Sequence, residues 1–150
     1  MNLYRSLFLI VLFSMTLAYG VDSPQFRGDR TGVFPETGLL KQWPEGGPAV
    51  AWKATGIGGG FSSATVVNGM VYVTGMLGKD EGNLFVIDEA TGSMKNAFPY
   101  GTETLDDQAE GPRATPTWDG KYLYFMSGVG VIYCMDPADG KIIWSVNMVE

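Results

Sequence analysis

An internal repeat constrains this chain more than any other feature. Ser63-Ala64-Thr65-Val66-Val67-Asn68-Gly69-Met70-Val71-Tyr72-Val73 is echoed by Ala114-Thr115-Pro116-Thr117-Trp118-Asp119-Gly120-Lys121-Tyr122-Leu123-Tyr124-Phe125. Each stretch is followed by an apolar run ending in aspartate and a glycine turn. These are Leu84-Phe85-Val86-Ile87-Asp88-Glu89-Ala90-Thr91-Gly92 and Val131-Ile132-Tyr133-Cys134-Met135-Asp136-Pro137-Ala138-Asp139-Gly140. Asp88 and Asp136 stand about 48 positions apart, near the period of four-stranded propeller blades.

Each repeat reads as four short strands. In the first they are predicted at 64–67, 70–74, 84–88 and 94–97, with a polar connection over 75–83. Asn68-Gly69 supplies the positive-φ pair of a two-residue hairpin. The second repeat follows the same course, with a shorter connection at 127–130. Val71-Tyr72-Val73 and Val131 to Met135 are continuously apolar, as in strands buried on both faces. Stacked blades bury their inner strands in this way. No helical crossover separates the runs, which argues against a parallel α/β sheet.

Upstream, Pro48-Ala49-Val50-Ala51-Trp52-Lys53 echoes Lys141-Ile142-Ile143-Trp144-Ser145. Trp52 and Trp144 lie two periods apart, so residues 50–53 read as a fourth strand without its first three. The expected fold class is therefore an all-β, incomplete β-propeller. Two blades (61–100 and 111–148) and one closing strand (49–54) cannot complete a ring of typically 4–8 blades. The sequence reads as an N-terminal fragment of a longer protein.

Residues 1–20 have the layout of a secretory signal peptide. Arg5 supplies the early positive charge, an apolar run follows from Leu7, and Ala18-Tyr19-Gly20 offers small residues for cleavage. The run of about 11 apolar residues is short for a bilayer span. A mature chain starting at Val21 is expected outside the cytoplasm, periplasmic or secreted, with an extended segment over 21–48.

Composition narrows the partners. Formal net charge is −6, which disfavours nucleic acid. No Lys/Arg cluster addresses an anionic membrane. There is no histidine and one cysteine, Cys134. A Ser-His-Asp triad, a histidine zinc site and an internal disulfide are thus excluded within these residues.

The repeat resembles the PQQ-like (pyrroloquinoline-quinone-type) β-propeller family, within the quinoprotein alcohol dehydrogenase-like group. The residues carrying the resemblance are Gly69-Met70-Val71-Tyr72-Val73, the run from Leu84 to Gly92, and the run from Asp136 to Trp144. Gln25-Phe26-Arg27-Gly28, Thr37-Gly38-Leu39, Trp43-Pro44, Trp52-Lys53 and Gly111-Pro112-Arg113-Ala114-Thr115-Pro116 also look like this family. The resemblance covers about residues 24–148. It implies a propeller, but two different activities. Some members are dehydrogenases that bind PQQ and calcium, and one is a scaffold lipoprotein of outer-membrane assembly. The chain lacks the dehydrogenases' adjacent cysteine pair and the scaffold's N-terminal cysteine. Asn96 stands where the other repeats carry tryptophan. The reading is a binding or interaction scaffold with a protein or small-molecule ligand at a propeller face. The alternative is a fragment of a periplasmic PQQ-dependent alcohol or sugar dehydrogenase.

Candidate residues mostly have structural readings. Asp88, Asp136 and Asp139 precede or lie in glycine turns, where carboxylates accept backbone N–H bonds. Trp52 and Trp144 read as packing residues rather than quinone platforms. Gly58-Gly59-Gly60-Phe61-Ser62-Ser63 lacks the lysine of a phosphate loop and leads into the first blade. Glu103, Asp106, Asp107 and Glu110 read as a solvated acidic loop, with calcium as the alternative. Cys134 reads as a buried small hydrophobe. Arg113, at the entrance of a first strand, is the weak cofactor-binding candidate: it could hold a carboxylate or a quinone oxygen, or brace a neighbouring blade. No catalytic residue and no metal ligand is assigned.

Overall fold

The structure is a computed structural model that describes residues 21–105 and 109–149. The expected signal peptide, and Asp106 and Asp107 of the acidic run, lie outside the described residues. Among the described residues there is no helix. The chain forms two four-stranded antiparallel sheets, each a simple meander. The first comprises β1 (Thr65–Val67), β2 (Met70–Leu77), β3 (Glu81–Asp88) and β4 (Met94–Thr102). The second comprises β5 (Thr117–Trp118), β6 (Leu123–Met126), β7 (Val131–Met135) and β8 (Ile142–Asn147). The sheets do not close on each other.

The predicted hairpin at Asn68-Gly69 is present. Both residues have positive φ, 54° and 72°, and Val67 pairs with Met70 around them. That backbone twist matches the twist of the flanking strands. The expected connection over 75–83 is different in the structure. β2 and β3 continue through it in register as far as Leu77↔Glu81 and turn at 78–80. Gly75, Gly82 and Asn83 read as loop residues, but all three are buried. Gly75 lies where a Cβ would come within 1.9 Å of the Ile57 carbonyl oxygen. Glycine here permits close approach of another backbone, a role that glycine takes inside strands. β4 is also longer than the predicted 94–97, running to Thr102 across a register shift at Gly82/Asn83.

The core lies between the sheets. Val67, Tyr72, Leu84, Val86 and Tyr100 of the first sheet meet Leu123, Phe125, Tyr133 and Met135 of the second. In both sheets these residues alternate with those of the opposite face, as the pleat demands. Tyr100 meets Phe125 edge-on at 4.8 Å, and Phe125 stacks with Tyr133 at 5.5 Å. Such pairs contribute about 0.5–1.5 kcal/mol beyond the area they bury. The inner strands β1 and β5 approach each other, and the Thr65 hydroxyl donates to the Pro116 carbonyl.

Residues upstream of β1 complete both sheets without adding a full strand. Ser23 exchanges two backbone hydrogen bonds with Val66, at 2.7 and 2.9 Å. The neighbouring Pro24 carbonyl accepts the Trp118 N–H at 2.8 Å. The segment thus spans the inner edges of β1 and β5. The closing strand expected at 49–54 is not observed as a strand, and residues 50–53 pair with neither sheet. Side-chain contact holds this stretch instead. The Trp52 indole N–H donates to the Glu89 carbonyl at 2.7 Å. Its ring covers Gly92, where a Cβ would meet it at 2.6 Å.

Candidate functional site

Arg113 precedes β5 and lines a cleft of about 140 Å³ with Ala114, Met126, Ser127, Gly128 and Gly130. Its side chain is exposed, and its guanidinium donates to the Ala109 carbonyl at 2.5 Å. It therefore helps fix the chain just after the connection that leaves the first sheet. The opposite wall is the turn between β6 and β7. There Ser127 receives the Val131 N–H on its hydroxyl at 3.1 Å and donates its own N–H to the Val131 carbonyl at 2.9 Å.

Behind this turn lies a carboxylate that sequence reasoning placed wrongly. Glu103 was expected on a solvated acidic loop, but it is 1% exposed. One carboxylate oxygen accepts the Tyr100 hydroxyl at 2.5 Å, and the other accepts the Gly128 N–H at 2.7 Å. The Glu103 N–H donates to the Asp80 carbonyl at 2.8 Å. A buried charge of this kind persists only with partners of good geometry. Alternation from Phe98 and Tyr100 would turn Thr102 inward, but Thr102 is exposed and Glu103, just past the end of β4, is buried instead, so no local pattern signals it. Glu110 of the same run is exposed.

The two phenols at this junction respond to burial and to that carboxylate. Burial, then the hydrogen bond and charge of Glu103, push Tyr100 far above the ordinary phenol range. Burial and the Glu103 charge also raise Tyr133, while the Ser127 hydroxyl opposes them. Both phenols stay protonated at neutral pH, so neither serves as a general base there. The cluster ties the end of β4 to the β6–β7 turn.

The remaining candidates are dispersed. Asp88 accepts the Thr91 N–H and hydroxyl at 2.9 and 2.8 Å and pairs with Lys95 at 3.3 Å. The Thr91 hydroxyl, then Lys95, hold its carboxyl below the usual range. Asp136 accepts the Ala138 N–H and Asp139 the Lys141 N–H, each at 2.9 Å. Asp119 plays the same turn-closing part, accepting N–H bonds from Lys121 and Tyr122 at 2.8 Å. It also accepts the Tyr124 hydroxyl at 2.7 Å. Trp52 sits on the turn after β3 and Trp144 on β8, so they share no site. In the glycine-rich stretch, Gly59 pairs with Met76 and the Phe61 N–H donates to the Pro112 carbonyl at 2.7 Å. Cys134 is buried in β7.

These residues do not fit PQQ or calcium. The cleft at Arg113 is smaller than the roughly 300–1,000 Å³ of small-molecule sites. Both Glu103 oxygens are engaged, and the turn aspartates face backbone N–H groups. Among the described residues no three carboxylate or thiol side chains converge on a common point, and no helix is long and apolar enough to cross a membrane. No family model matches the chain, and no curated protein matches it.

Proposed function

We propose that this chain is part of an exported β-propeller of PQQ-like type that works as a binding scaffold. Its two sheets act as blades, and it presents an apolar face to a further protein layer. The sequence pattern of residues 1–20 supports export, and the tandem four-stranded meanders support the propeller reading.

One observation carries the scaffold reading. On the face of the second sheet turned away from the core, Tyr124, Cys134 and Trp144 are cross-strand neighbours, as are Met126, Ile132 and Val146. Met126, Trp144 and Val146 are 45%, 44% and 48% exposed. Contiguous apolar patches of this sort mark interaction surfaces. A protein layer, such as another sheet, covers them with cross-strand rows of its own.

The test is sedimentation of the full chain with and without Met126→Lys and Val146→Lys. The unsubstituted chain should self-associate and bind a hydrophobic dye, and the double variant should do neither. A monodisperse chain that binds no dye would overturn the reading. So would calcium-dependent PQQ binding accompanied by dye-linked alcohol oxidation.

A further inference from the structure

Residues 25–32 form a compact loop beside the inner edge of the second sheet. Pro24 anchors its start to Trp118 of β5. The Gly28 N–H then donates to the Gln25 carbonyl at 3.0 Å, and the Arg30 and Gly32 N–H groups donate to the Arg27 carbonyl at 3.2 and 3.3 Å. The Asp29 carboxylate closes the turn by accepting the Thr31 N–H at 2.9 Å and the Thr31 hydroxyl. Within this loop both arginines have left-handed backbone, with φ of 60° at Arg27 and 75° at Arg30. Long L side chains resist that conformation, and its retention clusters at functional loops.

The loop places its two cations on one hollow. Gln25, Phe26, Arg27, Arg30 and Thr117 line a cleft of about 360 Å³. Arg30 Nε donates to Gln25 Oε1 at 2.8 Å, which orients the guanidinium and leaves the Gln25 amide NH₂ to donate elsewhere. The Arg27 guanidinium lies 5.3 Å from the Phe26 ring centroid. Neither arginine is ion-paired among the described residues. No carboxylate lines the cleft, although the chain as a whole carries a charge of −6.

We propose that this cleft binds the carboxylate of a small hydroxylated organic acid, the size of one acidic sugar ring. Guanidinium forks match a carboxylate bidentately. The Gln25 amide and the Thr117 hydroxyl suit ring hydroxyls, and Phe26, 56% exposed, offers an apolar face to ring C–H groups. The cleft volume falls within the range of small-molecule sites. The site is separate from the apolar face of the second sheet and does not depend on the scaffold reading.

The experiment is calorimetric titration of the full chain with glucuronate, glucose and inorganic phosphate. Glucuronate should bind saturably and more weakly as salt rises, with glucose silent and phosphate at least tenfold weaker. Arg27→Gln and Arg30→Gln should each weaken glucuronate binding about tenfold or more, and Arg30→Lys by several-fold, since the charge stays but the fork is lost. Near-ultraviolet circular dichroism checks that each variant keeps its fold. Lys79→Gln, a charge removed from the exposed 78–80 turn, should bind as the parent does. Absence of saturable glucuronate binding overturns the proposal. Equal binding of glucose or phosphate also overturns it, as does equal weakening by Lys79→Gln.

Discussion

The two sheets share a topology and a core, yet their outer faces differ. In the first sheet the outer row Val71, Phe85 and Ile87 is buried. Chain upstream of β1 meets this face at Gly75, where the Ile57 carbonyl presses, and is fastened along the edge of β2 by Gly59 pairing with Met76 and by the Ser62 hydroxyl donating to the Thr74 carbonyl at 3.0 Å. The outward row of the second sheet, with Met126, Trp144 and Val146, is open. The same meander therefore supports two environments, and what distinguishes them is chain outside the repeat. A sheet's stability comes from cross-strand and same-face neighbours, so outward-facing residues of the two sheets should differ sharply in weight.

The largest expected effect follows directly. Phe85→Ala should cost about 3–5 kcal/mol, the usual loss for a large aromatic in a closed site. Trp144→Ala, on the open face, should cost under about 1 kcal/mol. Urea denaturation of both variants measures the difference, and equal losses would break the comparison. Next is Gly75→Ala, which sets a methyl against the Ile57 backbone carbonyl and the edge of the Phe85 ring. It should cost about 1–3 kcal/mol. Hydrogen exchange should show faster exchange at Met76, whose N–H donates to Gly59. The inter-sheet core should stay protected. If exchange there rises as well, the cover and the core are one cooperative unit.

Glu103→Gln probes the joint between the sheets. It keeps the shape but replaces charged acceptors, and should cost about 1.5–3 kcal/mol. The pH response has a definite sign. Tyr100 has its folded pKa raised above the ordinary 10.0, so its contribution is fully present below about pH 10. Above that the unfolded phenol ionises first, and stability falls as pH rises. Tyr100→Phe should be less stable at pH 7 but flatter between pH 9 and about 11. An unchanged slope would remove Tyr100 from the joint.

The smallest effect concerns the turns that follow β3 and β7. Asp88 accepts two bonds from Thr91 and pairs with Lys95, whereas Asp136 accepts the Ala138 N–H. Asp88→Asn should lower the melting temperature slightly more than Asp136→Asn. Because the folded Asp88 pKa is depressed, its contribution is present above the usual carboxylate range and lost as pH falls through the folded value. The gap between the two variants should narrow as pH falls below the usual carboxylate range. Melting curves at pH 7 and pH 2 test this.

Much of this comparison was legible in the sequence, and its misses have common causes. Asn68-Gly69 and the apolar runs at 84–88 and 131–135 located strands because hairpin chemistry and burial are local signals. The extension of β2 and β3 was hidden because Gly75, Gly82 and Asn83 look like loop residues. Two of them are glycines for a tertiary reason: the Ile57 carbonyl over Gly75 and the Tyr100 ring over Gly82. Residues 50–53 resembled Ile142, Ile143 and Trp144 in composition, but composition does not supply a partner strand. Arg113 lies shortly before β5. The buried Glu103 behind it escaped because it stands beside acidic neighbours in sequence while its partners, Tyr100 and Gly128, come from both sheets.

The pairing of Ser23 with Val66 and of Pro24 with Trp118 has a kinetic consequence. The earliest described residues of the chain close the inner edges of both sheets. During vectorial synthesis they emerge before their partners, which arrive dozens of residues later, across long closure loops. Long-range pairings of this kind slow folding. The pairings of Ser23 and Pro24 are thus slow to form, and until they do, both edges stand open to any other strand that meets them.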